Sequence, residues 1–173
     1  MCSMEGARHL CTTEHNYIIV FMLPALITRP NSTIGVLPRG LHHVSLREFR
    51  DAFAFNPHRA WLFDGFLLAC RTLREAGCGR IYVGGSYVTS KERPGDYDAC
   101  WDPAGVLPNL DSVLHDENFA LERRQTYRGD LLIGGAHDGP AGENFRFLSR
   151  DKITHEERGM VGLKLNILEI LNL

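Results

Sequence analysis

The chain predicts a single α/β (α+β) domain, a mixed β-sheet flanked by helices, and three observations carry this. An amphipathic helical stretch over 57–76 runs directly into a short apolar strand at 80–83. A second strand, Asp98–Trp101, and a third, Asp130–Ile133, follow with polar or helical segments between them. At 173 residues, 44% hydrophobic and 23% charged, the chain has the size and composition of one globular domain with its own core.

Taken in order, residues 1–21 are expected to be an N-terminal extension that adds nothing to function. The run at 17–27 is apolar, but it contains Pro24 and is far too short to span a bilayer. Glu5 and Glu14 stand against Arg8, which is not the positive front of a secretory signal. Residues 22–44 hold Pro24, Pro30, Gly35, Pro38 and Gly40 and read as an extended arm, and 45–173 as the domain proper. Ser45-Leu46-Arg47-Glu48 is a capping box that opens a short helix through about Phe53. Asn56 then caps a helix with Pro57 at its first position. Leu62, Phe66, Ala69, Cys70, Leu73 and Ala76 form its apolar stripe, and Gly77 ends it.

A weaker helical pattern covers 107–121. The glycine-rich stretch 134–142 reads as a flexible loop, because it lacks the Gly-Lys-Ser/Thr ending of a phosphate-binding P-loop. Residues 145–148 and 162–168 read as further strands, the second with a helical end as an alternative. Formal net charge is −2, so no overall basic field points to nucleic acid. Cys2, Cys11, Cys70, Cys78 and Cys100 are odd in number and form no Cys-x-x-Cys pair. That favours buried free thiols in a reducing cytoplasm, with no membrane association.

The most informative segment is Ile81-Tyr82-Val83-Gly84-Gly85-Ser86, followed after nine residues by Asp96-Tyr97-Asp98. Alternation along a strand puts Asp96 and Asp98 on one face and Tyr97 on the other. Two such carboxylates suit magnesium, or manganese in its place, which takes one or two carboxylates and fills its other positions with water and phosphate. The Gly84-Gly85-Ser86 turn offers bare amides and a hydroxyl to an anion. Together these describe a site for a metal-bound triphosphate. The plainer reading of the same acids is a capped turn after Pro94-Gly95, and of Ser86 a helix cap. Lys91 and Arg93, between turn and acids, either reach the leaving pyrophosphate or are simply solvated.

Gly85-Ser86, the nine-residue loop and Asp96-Tyr97-Asp98 resemble the nucleotidyltransferase signature of the polymerase-beta superfamily. The wider context is Leu37-Pro38-Arg39-Gly40-Leu41-His42, then Val83 to Thr89, then Asp96 to Asp102. It is similar to a group of small bacterial and phage proteins of unknown function (DUF6932-like). The resemblance covers about 37–163, and Met22-Leu23-Pro24 matches the segment near which those proteins begin. It implies a polymerase-beta-like nucleotidyltransferase fold. It also implies transfer of a nucleotide from ATP or another nucleoside triphosphate to an unidentified hydroxyl on protein, RNA or a small molecule. By the same resemblance a third acid belongs on the strand after the intervening helix. Asp130 is the candidate and would join Asp96 and Asp98 as a catalytic metal ligand. A solvated turn residue beside Gly129 remains the alternative, and Glu143 and Asp138 are poorer candidates.

Arg123, Arg124 and Arg128 around Tyr127 read either as a grip on an RNA acceptor or as a solvated helix end. Larger relatives carry an additional helical domain, which leaves a homo- or hetero-oligomer, or the acceptor itself, to complete the site here. The competing reading is a catalytically inactive relative that acts as a binding module, for example a toxin–antitoxin or phage-defence component working through a protein partner.

Overall fold

The computed structural model describes residues 22–108, 110, 112–134, 142–151 and 154–173. The extension expected over 1–21 and most of the glycine-rich loop, including Asp138, lie outside them. Seven strands and five helices follow one another along the described residues. They are β1 (Ile27–Thr28), β2 (Gly35–Val36), β3 (Leu41–Val44), α1 (Leu46–Phe53), α2 (Pro57–Glu75), β4 (Arg80–Gly84) and β5 (Asp98–Trp101). Then come α3 (Ala120–Tyr127), β6 (Asp130–Ile133), α4 (Glu143–Leu148), β7 (Met160–Lys164) and α5 (Ile167–Leu171). Strands β1 and β2 form a small antiparallel hairpin. The other five make one mixed sheet in the order β3-β7-β4-β5-β6, parallel at its two outer pairings and antiparallel within.

The two expected helix starts form as their sequences dictate. The Ser45 Oγ accepts from the Glu48 amide at 3.2 Å, and the Glu48 carboxylate accepts from the Ser45 amide at 2.8 Å. The Asn56 side chain accepts from the Arg59 amide at 2.9 Å. The α2 stripe of Leu62, Phe66, Ala69, Cys70 and Leu73 is buried against Ile81, Val83, Ala99, Trp101, Val161 and Leu163 from one face of the sheet. The opposite face is covered by α4, whose Leu148 and Phe145 pack on Tyr82, Cys100 and Met160.

Three expectations are corrected. Leu41–Val44 is an edge strand of the main sheet rather than part of a surface arm. Its Leu-His-His-Val sequence carries no alternating pattern, and β7 alone pairs with it. The helix read over 107–121 is displaced: Pro108 and the Asp116 cap of a 3-10 turn delay it, and α3 begins at Ala120. Residues 145–148, read as a strand, belong to α4. Phe145 and Leu148 both reach the second cluster at helical spacing while Phe147 is exposed, so an apparent alternation is a one-turn helical pair. The last segment splits into β7 and α5, close to the alternative read for it. Among the described residues no helix is long and apolar enough to cross a membrane.

Cys70, Cys78 and Cys100 are free and buried. Burial pushes the Cys78 thiol up to about 11 and the Cys100 thiol up to about 12. A thiol of the unfolded chain titrates near ~8.5, so unfolding releases these protons where the native chain still holds them. Their stabilisation is whole below about pH 8.5 and is lost as pH rises toward 11 and then 12. The urea midpoint should therefore fall between about pH 8 and pH 10, and fall less in Cys100→Ala, as read by circular dichroism.

Candidate functional site

The site is built where β4, β5 and β6 lie in register. Gly84 is paired with Asp98, and Asp98 with Asp130 on the far side. Partners across a sheet share a face, so both carboxylates stand on the α4 side with Tyr82 and Cys100. Tyr97 points the other way into the core, edge-on to Phe66 with ring centroids 5.1 Å apart. Asp98 is only 5% exposed.

Beyond Gly84 the chain turns at Gly85, whose φ of +68 is in the left-handed region. A Cβ at Gly85 would overlap the Asp98 carboxylate, so the turn lies directly on that side chain. Glycine is required on both counts. The Thr89 hydroxyl donates to the Ser86 carbonyl at 2.7 Å and closes the turn.

Arg59 holds this loop from beneath. It is fully buried, and its guanidinium donates to the carbonyls of Phe53, Tyr87 and, at 2.6 Å, Lys91. Its charge also lies 4.5 Å from the centroids of the Phe55 and Tyr87 rings. Burial pulls its pKa below the ordinary guanidinium value, partly offset by Tyr87. Sequence reasoning missed this anchor. The available signal was a charge on the apolar stripe of α2, one turn before Leu62.

A cleft of ≈ 1190 Å³ opens over these groups, with Gly85, Ser86, Thr89, Lys91, Asp96 and Asp98 along one side. The hairpin, Asp151 and residues 154–158 form its other side. There Arg29 pairs with Glu156 at 2.5 Å, Arg39 with Glu157, and Arg158 with Asp151 at 3.4 Å. Of the cations lining the cleft, Lys91 is the one whose side chain makes no ion pair among the described residues. Thr89 and the three arginines were not singled out from sequence. Thr89 was findable as a hydroxyl one turn beyond Ser86, whereas nothing local marks the arginines.

Two residues expected beside the phosphates stand elsewhere. Gly84 is the last residue of β4, buried where the Leu148 carbonyl leaves no room for a side chain. Arg93 is exposed and does not line the cleft. Asp130 is beside Asp98, but both its oxygens accept from the Arg124 guanidinium, at 2.5 and 2.6 Å. The basic group near Tyr127 is not one surface. Arg123 is buried on the carbonyls of Val113 and Asp116, and Arg128 lies over Trp61. Tyr127 itself is buried and offers no stacking face.

Among the described residues no group of three or more His, Cys, Asp or Glu is arranged to hold a metal ion. Asp96 and Asp98 nevertheless suit magnesium in kind. They are hard oxygen donors facing one cleft, and that ion needs no more than two carboxylates when water and phosphate complete its shell.

Fold and site thus define a mixed α+β domain whose sheet presents acids to a polar cleft bordered by a glycine-serine turn. The chain belongs to DUF6932, a family of unknown function, whose model matches residues 29–164. No match emerges among curated proteins or among solved structures. The family segment begins at Arg29, so it leaves out β1 but takes in β2 and the acids.

Gly85→Ala should lower stability by about 1–3 kcal/mol in urea unfolding, through backbone strain and the collision with Asp98. In an Asp98→Ala background the loss should shrink toward the ~1 kcal/mol of the backbone alone. Arg59→Ala strands three buried carbonyls and should cost about 3 kcal/mol or more. Arg59→Lys should recover only part of this, since an ammonium lacks the fork that reaches all three.

Proposed function

We propose that this protein is a metal-dependent nucleotidyltransferase of the polymerase-beta-like class, working in the cytoplasm. It would transfer a nucleotide from ATP or another nucleoside triphosphate to a hydroxyl on a protein, an RNA or a small molecule. The single observation that carries this reading is the contact between the Gly85 turn and the Asp98 carboxylate, with Ser86 and Asp96 in the same cleft. A phosphate-binding turn and a cation-binding acid adjoin each other as a metal-bound polyphosphate requires.

In the reaction an acceptor hydroxyl gives its proton to water as its oxygen bonds to the α-phosphorus, the bond to the bridging oxygen breaks, and pyrophosphate leaves with that electron pair. Asp96 and Asp98 would hold magnesium or manganese, which when bound stabilises charge on the phosphoryl oxygens. The Gly85 and Ser86 amides and the Ser86 hydroxyl would grip the polyphosphate, and Lys91 would balance the departing charge. Arg59 serves as a positioning residue, because it fixes the carbonyls of Tyr87 and Lys91 and with them the loop that carries Ser86.

Incubation with α-labelled triphosphates, magnesium and cell extract tests this. Wild type should transfer label, and Asp98→Ala or Asp96→Ala should lower transfer by about 10²-fold or more. Equal transfer by the double variant, or none by wild type with any triphosphate, would remove the reading. The second reading is an inactive relative that binds through this cleft, as a toxin–antitoxin component would. It draws on one observation, the engagement of Asp130 by Arg124. Triphosphate binding that depends on Asp98, without label transfer, would favour it.

A further inference from the structure

The three arginines at the end of α3 have different destinations, and only Arg124 turns to the acids. The helix stops at Arg128 in a left-handed conformation, φ 63, and Gly129 alone leads into β6. That sharp reversal brings Arg124 back over Asp130, six positions along. Its guanidinium takes both Asp130 oxygens, at 2.5 and 2.6 Å. The Asp130 hydrogen bond and charge, with smaller contributions from Asp96 and Asp98, hold the Arg124 pKa above its ordinary value. The Arg124 side chain is itself 58% exposed, so it lies outside the core.

We infer that Arg124 is a built-in competitor of the divalent cation: its fork occupies Asp130, so the third carboxylate becomes a ligand only when Arg124 lets go. The inference rests on the proposed metal site and adds a positioning residue to it. A two-pronged hydrogen bond and a metal ion draw on the same carboxylate charge, so each weakens the other. Register places Asp130 directly beside Asp98, which makes it the acid best placed to complete a pair formed by Asp96 and Asp98.

Titration with Mn2+, followed by electron paramagnetic resonance of the free ion, separates the possibilities. Arg124→Ala should tighten Mn2+ at least about fivefold over wild type. Arg124→Lys, which keeps charge without the fork, should fall between them. Adding Asp130→Asn to Arg124→Ala should abolish the gain. A purely structural Arg124 would lower the melting temperature and leave Mn2+ affinity where it was, and that result overturns the inference. If Asp98→Asn weakens Mn2+ binding while Arg124→Ala fails to strengthen it, only the competitor role falls. If Asp98→Asn binds Mn2+ as wild type does, or wild type binds none, the metal site falls and this inference with it.

Discussion

The pairing of β5 with β4 on one side and β6 on the other decides which face of the sheet bears the acids. Because side chains alternate with a period of two, a slip of one residue would send Asp98 into the core and Tyr97 out to the cleft. The register is held by large buried groups on the opposite face. Tyr97 is packed edge-on to Phe66 and closed over by Gly129, where any side chain would strike its ring. Ala99 and Trp101 continue the same stripe into the main core. The Asp130 amide donates to the Tyr97 carbonyl at 2.8 Å, so the backbone of the residue that fixes the register also aligns the third acid. The position of the carboxylates is thus a consequence of hydrophobic packing on the other side of the sheet.

The loop on the far side of the site is fixed differently. A guanidinium removed from water is costly unless its donors are met, and Arg59 meets them with three carbonyls of the backbone. Two of these belong to the loop after Ser86, and the third to the end of α1. The helix that carries Arg59 also supplies the main core stripe, so the loop takes its rigidity from the best-packed element of the domain. Anion binding by amides depends on such preorganisation, since a turn that must be ordered at the moment of binding spends affinity on its own entropy.

Much of this was legible in the chain itself. Capping residues and an apolar stripe announced α1 and α2, and two glycines and a pair of spaced acids announced β4, the turn and β5. These signals are local, and local chemistry decides them. What could not be read was decided at a distance. β3 lacks apolar alternation because its identity comes from pairing with a strand more than a hundred residues later. Phe145 and Leu148 read as strand, and the helix shows only in the packing of both on Tyr82 and its neighbours. Arg124 was visible as one of a basic group, but its partner was not, because only the left-handed turn at Arg128 folds it back upon Asp130.

The two walls of the cleft are held by forces of different kinds, and this bears on what the site can accommodate. The hairpin is joined to the motif loop by backbone: Gly35 donates to the Ser90 hydroxyl at 2.7 Å and accepts from the Ser90 amide at 2.9 Å, beside the buried Val36 and Leu37. Toward residues 154–158 it is joined largely by side chains, through Arg29 with Glu156 and Arg39, just beyond β2, with Glu157. The acids of both pairs are exposed, and such pairs contribute only ~0–1 kcal/mol each and weaken with salt. The inner contacts depend on geometry and burial, which salt hardly touches. The wall beside Gly85 and Ser86 is thus held by burial and geometry, and the opposite wall by exposed ion pairs. Added salt should therefore act on the wall carrying Arg29 and Arg39 and leave the Gly85 turn as it is.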